Sequence, residues 1–497
     1  MRVTNSMISN SSRTHITTAK NQMLNAQNQY TTQKKILRPS DDPTVAIRSL
    51  QLRTTYSQLN QYVEKNVQDA MSWMDITETA MKNINSILTN MKGYLNQGAN
   101  DPLEAEDRKA VLAVLKEYAN SIFEDEANTD YSGRYVFSGY RTDTSLLFPN
   151  DTDNLEYTIT ENFTTESIRT VKYVSGGAEF GDTKDADDYA SEVPKQFPTY
   201  RLQLAYNNCS DKAAAQGNPS GDAVTVTLDG TAIDVAVVSS NDADAYDAAA
   251  QGTDAIYVYD TGEIIFSEAT YEKIQQNHSK IAVQYTKKEF DKSDIRPEMY
   301  FECTSYNTTS NKVTTYAEPS DQEISYEINF SQTSVVNTQA RDAISTDIYR
   351  TIDYIEQTIN AVEDIEKRIS DVDNMIENTT DETELENYNK LKEMLETEKK
   401  LHTDIMTDAF GIGLTMVDKT QNQLNVALAD LGSRYNRLEL TYDKLLDQRT
   451  DTEEKLSNNE DVDIADAYIN LTQADNLYQS ALSATAKILG NSLLDYI

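Results

Sequence analysis

Apolar residues recur on an alternating three- and four-residue spacing at both ends of the chain, with alanine set between bulkier side chains. Near the N-terminus, Ile16, Ala19, Met23, Ala26, Tyr30 and Leu37 keep this pattern, interrupted once at Gln33. Near the C-terminus, Ile464, Ala467, Leu471, Ala474, Tyr478, Ala481 and Ile488 repeat it, with Thr485 between the last two. The spacing predicts helices with one narrow apolar face, and the alanines allow close backbone approach. Neither stripe is wide enough to build a domain alone. Each needs a partner, and the other stripe is the first candidate.

Helix breakers divide the rest. The first helix, about residues 5 to 37, is expected to end at Arg38-Pro39-Ser40-Asp41-Asp42-Pro43, where two prolines forbid continuation. A second is expected from about Thr44 to Asn96, with Ala70, Met74, Thr77, Met81, Ile84, Leu88, Met91 and Leu95 as its seam. A third, about 102 to 129, passes into the alternating Tyr131 to Gly139 segment, which favours a short hairpin. Ten of the sixteen glycines lie between Gly133 and Gly262, and no proline follows Pro319, so the middle is turn-rich and both arms are helical. Ala223 to Leu228 followed by Asp229-Gly230 predicts a hairpin. Further strands are expected at 255–259, 263–266, 281–286 and 299–304. The C-terminal arm carries a seam from Ile344 to Ile376, a turn at Thr379-Thr380-Asp381-Glu382, and a seam from Leu424 to Leu445. Gly411-Ile412-Gly413 is a candidate break or bend between the last two.

The predicted fold class is α+β: a long coiled-coil-like helical bundle formed by the N- and C-terminal arms, with an inserted β-rich central domain. Residues 1–43 and 460–497 form the terminal coiled-coil segments in this division. Residues 44–140 and 341–459 form the helical bundle domain, and 141–340 the β-rich insertion.

Composition removes several functions. A net charge of -37 argues against binding nucleic acid or an anionic membrane. No apolar run is long enough to span a bilayer. The polar opening, Met1 to Lys20, lacks an apolar core, so no secretory signal peptide is expected. Cys209 and Cys303 could make one bridge, but two isolated thiols are the preferred reading. His15, His278 and His402 are scattered without metal-ligand spacing, and there is no phosphate loop, dinucleotide fingerprint or nucleophile elbow. No catalytic, cofactor or metal residue is assigned, and the chain is not expected to be an enzyme. Asp41-Asp42-Pro43 reads as a capped turn with proline at the start of the next helix rather than a cation site. The thirty tyrosines are assigned to packing rather than to carbohydrate. Charge is also divided between the ends: residues 1–50 carry seven Lys/Arg against two Asp, and 460–497 carry six Asp/Glu against Lys487. Opposite charge on matching seams favours their association, modestly in salt.

The paired terminal stripes, the Lys34 to Pro43 turn, Tyr135-Val136-Phe137-Ser138-Gly139 and the terminal Ser492 to Ile497 closely resemble bacterial flagellin-like axial proteins, and within that superfamily the hook–filament junction family. The resemblance covers roughly 1–148 and 405–497; the Arg38 to Pro43 turn differs from the flagellin pattern. It implies export, unfolded and without a cleaved signal, through the flagellar export apparatus, with a possible export chaperone. It further implies an extracellular ring or helical oligomer of the chain with itself, set between hook-associated protein 1 and flagellin. The terminal helices would line the inner tube, and the thirteen stripe residues named above would form the assembly seam. Flagellin proper, an enzyme-bearing flagellin and a free coiled-coil effector or adhesin are the alternatives. The missing His-Glu-x-x-His motif speaks against the second.

Overall fold

A computed structural model describes residues 5–100, 103–175, 193–216, 221–242, 245–247 and 251–494. In chain order the longer α-helices among the described residues are α1 (Asn5–Thr32), α2 (Pro43–Gln61), α3 (Val67–Gly98), α4 (Ala105–Asn120), α5 (Glu268–Asn277), α6 (Asp347–Asn378), α7 (Glu382–Glu460) and α8 (Ile464–Leu494). The strands begin with β1 (Asp130–Tyr131), β2 (Arg134–Tyr135), β3 (Thr152–Phe163), β4 (Arg169–Ser175), β5 (Lys195–Gln203), β6 (Val224–Leu228), β7 (Thr231–Ala232) and β8 (Val235–Val238). They continue with β9 (Ala255–Val258), β10 (Glu263–Phe266), β11 (Ile281–Phe290), β12 (Glu302–Asn307), β13 (Lys312–Tyr316), β14 (Ser325–Asn329) and β15 (Gln332–Val335). Helical arms around a strand-rich middle make the fold α+β, as the pattern predicts.

The chain divides into two compact units. One holds Met1–Ala70, Tyr326–Ser334 and Asn436–Ile497; the other holds Met71–Ser325 and Val335–Tyr435.

In the larger unit the helical seams are dry. Met74, Thr77, Met81, Ile84, Leu88, Met91 and Leu95 of α3 are all buried, as are Ile348, Ile352, Ile355, Ile359 and Val362 of α6. Thr77 keeps its hydroxyl satisfied by donating to the Trp73 carbonyl at 2.8 Å. Gly411 and Gly413 do not break α7, which runs unbroken through both. A methyl at Gly413 would sit 2.9 Å from Leu95 Cδ2 and 3.2 Å from Ile355 Cδ1, so this glycine permits close helix approach. The acidic stretch 367–402 is a helical hairpin with its own small core of Val372, Leu391, Met394 and Leu395. Asp381 caps its second arm, accepting from the Thr383 and Glu384 amides. Arg368–Glu398 and Lys392–Asp373 pair across it, both at 2.6 Å.

The strands form a five-stranded sheet, β4-β5-β10-β9-β8, and a six-stranded sheet, β13-β12-β3-β11-β6-β7, that share one apolar core. Asp229 and Gly230 take positive φ of 49° and 84°, giving the β6–β7 hairpin its tight turn. One ion pair ties this region to α6. Glu161 on β3 accepts from Arg350 at 2.5 Å, from the Tyr285 hydroxyl at 2.6 Å and from the Ala205 amide at 2.7 Å. Both charged side chains are buried, so each depends on the other. Cys209 and Cys303 are free and buried, and burial pushes the Cys209 thiol up to about 12.

Candidate assembly interface

The terminal helices α1 and α8 pack against each other within the smaller unit. They run antiparallel, because the start of α8 lies beside the end of α1: the Val462 amide donates to the Gln33 carbonyl at 3.0 Å. Along α1, Ala19 and Ala26 are buried while Ile16 and Met23 are half-buried. Along α8, Ala467 is buried and Leu471, Ala474, Tyr478, Ala481 and Thr485 are half-buried. Ala19, Ala26 and Ala467 are therefore the most deeply buried stripe residues. The side chain of Ile488 lies outside the described residues.

Three stripe residues stand apart. Leu37 lies beyond α1, which ends at Thr32 rather than at the prolines, because Gln33 adopts a left-handed φ of 58°. Leu37 and Ile464 are about half exposed, at 51% and 54%. Tyr30 is 39% exposed and meets Tyr468, outside the predicted stripe, with ring centroids 5.9 Å apart. Met7, Leu24, Ile469, Leu477 and Leu482 are further exposed apolar side chains on the pair. This is a narrow seam with uncovered apolar flanks.

Below the pair, two chain breaks meet. The Lys35 amide donates to the Glu460 carbonyl at 2.7 Å, and Lys34 and Asp461 form an antiparallel bridge. Charge reinforces it. Lys34 Nζ lies 2.5 Å from Asp461 and 3.3 Å from Glu460, and Arg53 donates to both oxygens of Glu460 at 2.5 and 2.6 Å. Asn459 donates to the Val45 carbonyl and Ser49 hydroxyl, at 3.1 and 2.7 Å. The Arg53 hydrogen bonds, helped by Lys34, hold the Glu460 carboxyl below its ordinary 4.5. Lys34 and Ser457 do the same for Asp461, and Asp461 raises Lys34 in return.

The Arg38 to Pro43 segment is a capped turn. Asp41 accepts from the Arg38 amide at 2.9 Å, and Asp42 caps α2 by accepting from the Thr44 and Val45 amides. Pro43 occupies the first helical turn, where its missing N–H costs nothing. Among the described residues, no group of three or more His, Cys, Asp or Glu is placed to hold a metal ion, and no helix is long and apolar enough to cross a membrane. The charged clasp was not singled out from sequence. Its signal was the acidic Glu460-Asp461 pair facing the basic 34–53 segment.

Comparison with known proteins agrees with this geometry. The bacterial flagellin N-terminal helical region matches residues 3–142, and the bacterial flagellin C-terminal helical region matches 414–497. The flagellar hook-associated protein 3 of Escherichia coli is 24% identical over 145 residues, 29% of this chain and 45% of that protein. Its counterpart in Salmonella typhimurium is 24% identical over 143 residues, with the same coverage. The chain thus spans under half the length of these curated relatives. A crystal structure of flagellar hook associated protein-3 from Legionella pneumophila is 13% identical and covers 82% of this chain and 98% of its own, with a TM-score of 0.30, too low to argue from. The two ends of this chain are thus similar to the helical regions of bacterial flagellin, and part of it is similar to flagellar hook-associated protein 3.

Proposed function

We propose that this chain is a non-enzymatic structural subunit of the bacterial flagellum, acting at the hook–filament junction. It forms a ring or helical layer with copies of itself, between hook-associated protein 1 and flagellin. The observation that carries the reading is the incompletely covered α1–α8 pair: its seam is buried at Ala19, Ala26 and Ala467, yet its flanks expose Met7, Leu24, Ile469, Leu477 and Leu482. Neighbouring copies would cover those flanks, and burial there offsets the cost of ordering the helices. The thirteen stripe residues are the assembly seam in this reading. Residues 1–43 and 460–497 form the inner tube, 44–140 and 341–459 the surrounding bundle, and 141–340 the outward-facing domain. Export through the flagellar channel, aided by a chaperone, brings the chain outside the cell.

A deletion strain tests the role. Complete hooks with flagellin leaking into the medium support a junction protein; loss of filaments with no leaked monomer identifies a flagellin instead. Ala474→Asp places a charge inside the half-buried seam and is expected to abolish incorporation. Normal incorporation of that variant contradicts the proposed surface.

A further inference from the structure

The α1–α8 pair continues into the rest of its unit through two chain breaks, residues 33–42 between α1 and α2 and 461–463 between α7 and α8. Two helices interrupted side by side make a hinge line. Two backbone hydrogen bonds cross it, Lys35 to Glu460 and Val462 to Gln33. Backbone bonds at one level restrain separation but leave pivoting free, so the side chains must fix the angle.

The side chains around the line are suited to that. Glu460 is nearly buried, with 6% of its side chain exposed, and is held from two directions. Arg53 reaches it from α2, and Lys34 from the α1 side of the break. Lys34 also grips Asp461, which accepts from Ser457 at 2.7 Å on the last turn of α7. Lys35 donates to the Asn458 carbonyl at 2.5 Å. Arg53 fastens the end of α7 to α2, and Lys34, two residues past the end of α1, carries that restraint into the break, so pivoting of the pair strains the Lys34 contacts. The bidentate Arg53 fork adds direction to the restraint.

We propose that Arg53, Glu460, Lys34 and Asp461 form an electrostatic lock that sets the angle of the terminal helix pair, making them positioning residues for assembly. This rests on the assembly role proposed above. With the lock closed the seam flanks are presented in one orientation. With it open the pair stays helical but samples many, and few of them match a neighbour.

The test uses the full-length chain, spin-labelled at Asn21→Cys on α1 and Gln58→Cys on α2, both exposed positions. The native Cys209 and Cys303 are buried and stay unlabelled. Pulsed dipolar spectroscopy then reads the angle as a distance distribution, and pelleting with preformed flagellar hooks reads incorporation. Arg53→Glu and Glu460→Arg are each expected to broaden the distribution and to lower incorporation about tenfold, a change equal to ~1.4 kcal/mol. The charge-swapped double variant is expected to restore both in part, because the 53–460 pair re-forms while Lys34 then faces a like charge at 460. A single variant as narrow and as active as the parent overturns the lock; so does a double variant that restores neither readout, or a parent distribution as broad as that of Arg53→Glu. Ala474→Asp, run alongside, separates the two ideas: it is expected to block incorporation while leaving the distance distribution narrow. Normal incorporation of Ala474→Asp contradicts the assembly role itself.

Discussion

The α3 seam and the α1 stripe share one spacing and reach different ends. From Met74 to Leu95 the α3 positions are wholly buried, bulky residues included. Among the described α1 side chains, Ser12, Ala19 and Ala26 are the buried ones, while Met23 is half-covered and Tyr30 is exposed. Periodicity therefore predicts a helix and the face it buries, but not how many neighbours that face has. In α1, Thr14, Thr17, Thr18, Thr31 and Thr32 each turn their hydroxyls back to the carbonyl four residues earlier. Such back-bonding slightly weakens a helix that has little packing to hold it.

The sharpest way to widen the contrast is to break the larger unit at its buried charge. Arg350→Ala strands Glu161 without its cation and is expected to cost about 3–5 kcal/mol. Trp73, the only tryptophan and fully buried in that unit, reports the loss as a lowered unfolding midpoint by fluorescence. An unchanged midpoint would mean that water replaces the pair at little cost.

A matched pair of truncations comes next. Leu88→Ala removes a fully buried side chain and is expected to destabilise by about 2–5 kcal/mol. Met23→Ala lies on the equivalent spacing but is half-exposed, and is expected to cost under about 1 kcal/mol in the free chain. Denaturant unfolding of both checks this. Equal losses would erase the distinction between a filled seam and an open one.

Acid separates the units by sign. Burial, with Glu356 close by, raises Asp353 to about 6 from an ordinary 3.8. The larger unit therefore gains stability as pH falls through about 6 toward 3.8, and Asp353→Asn should flatten that slope. Glu460 is shifted the other way. Its contribution is complete above 4.5 and is lost as pH falls through its depressed folded value. Arg53 and Lys34 are well exposed, so the effect is roughly 1 kcal/mol or less. Proteolytic cutting at residues 33–38 is expected to rise only below about pH 4.5, while the Trp73 transition moves upward between about pH 7 and 5. Cutting that stays constant down to about pH 3 would remove the clasp from the account.

Much of this fold was legible because its signals are local. Asp229-Gly230 marked the β6–β7 turn, and Asp381 marked the start of α7. Illegible features depend on distant partners. Gly411 and Gly413 looked like a break, but Gly413 is where Leu95 and Ile355 approach α7. Proline position suggested that α1 reached Leu37, whereas pairing of Lys34 with Asp461 ends it at Thr32. Glu161 and Arg350 are separated by 189 residues, and no periodicity links them. At the terminal helices, sequence showed the stripe and the opposed charge. It could not show that Tyr30 would meet Tyr468 instead of a stripe residue.

Amide hydrogen exchange of the free chain and of the chain assembled with hooks tests the central claim most directly. Exchange protection follows local opening, so an open seam and a filled seam must differ. The account predicts α1 and α8 exchanging far faster than α3 in the free chain, then becoming protected on assembly while α3 stays unchanged. Equal protection of α1, α8 and α3 in the free chain, with no gain on assembly, would contradict it.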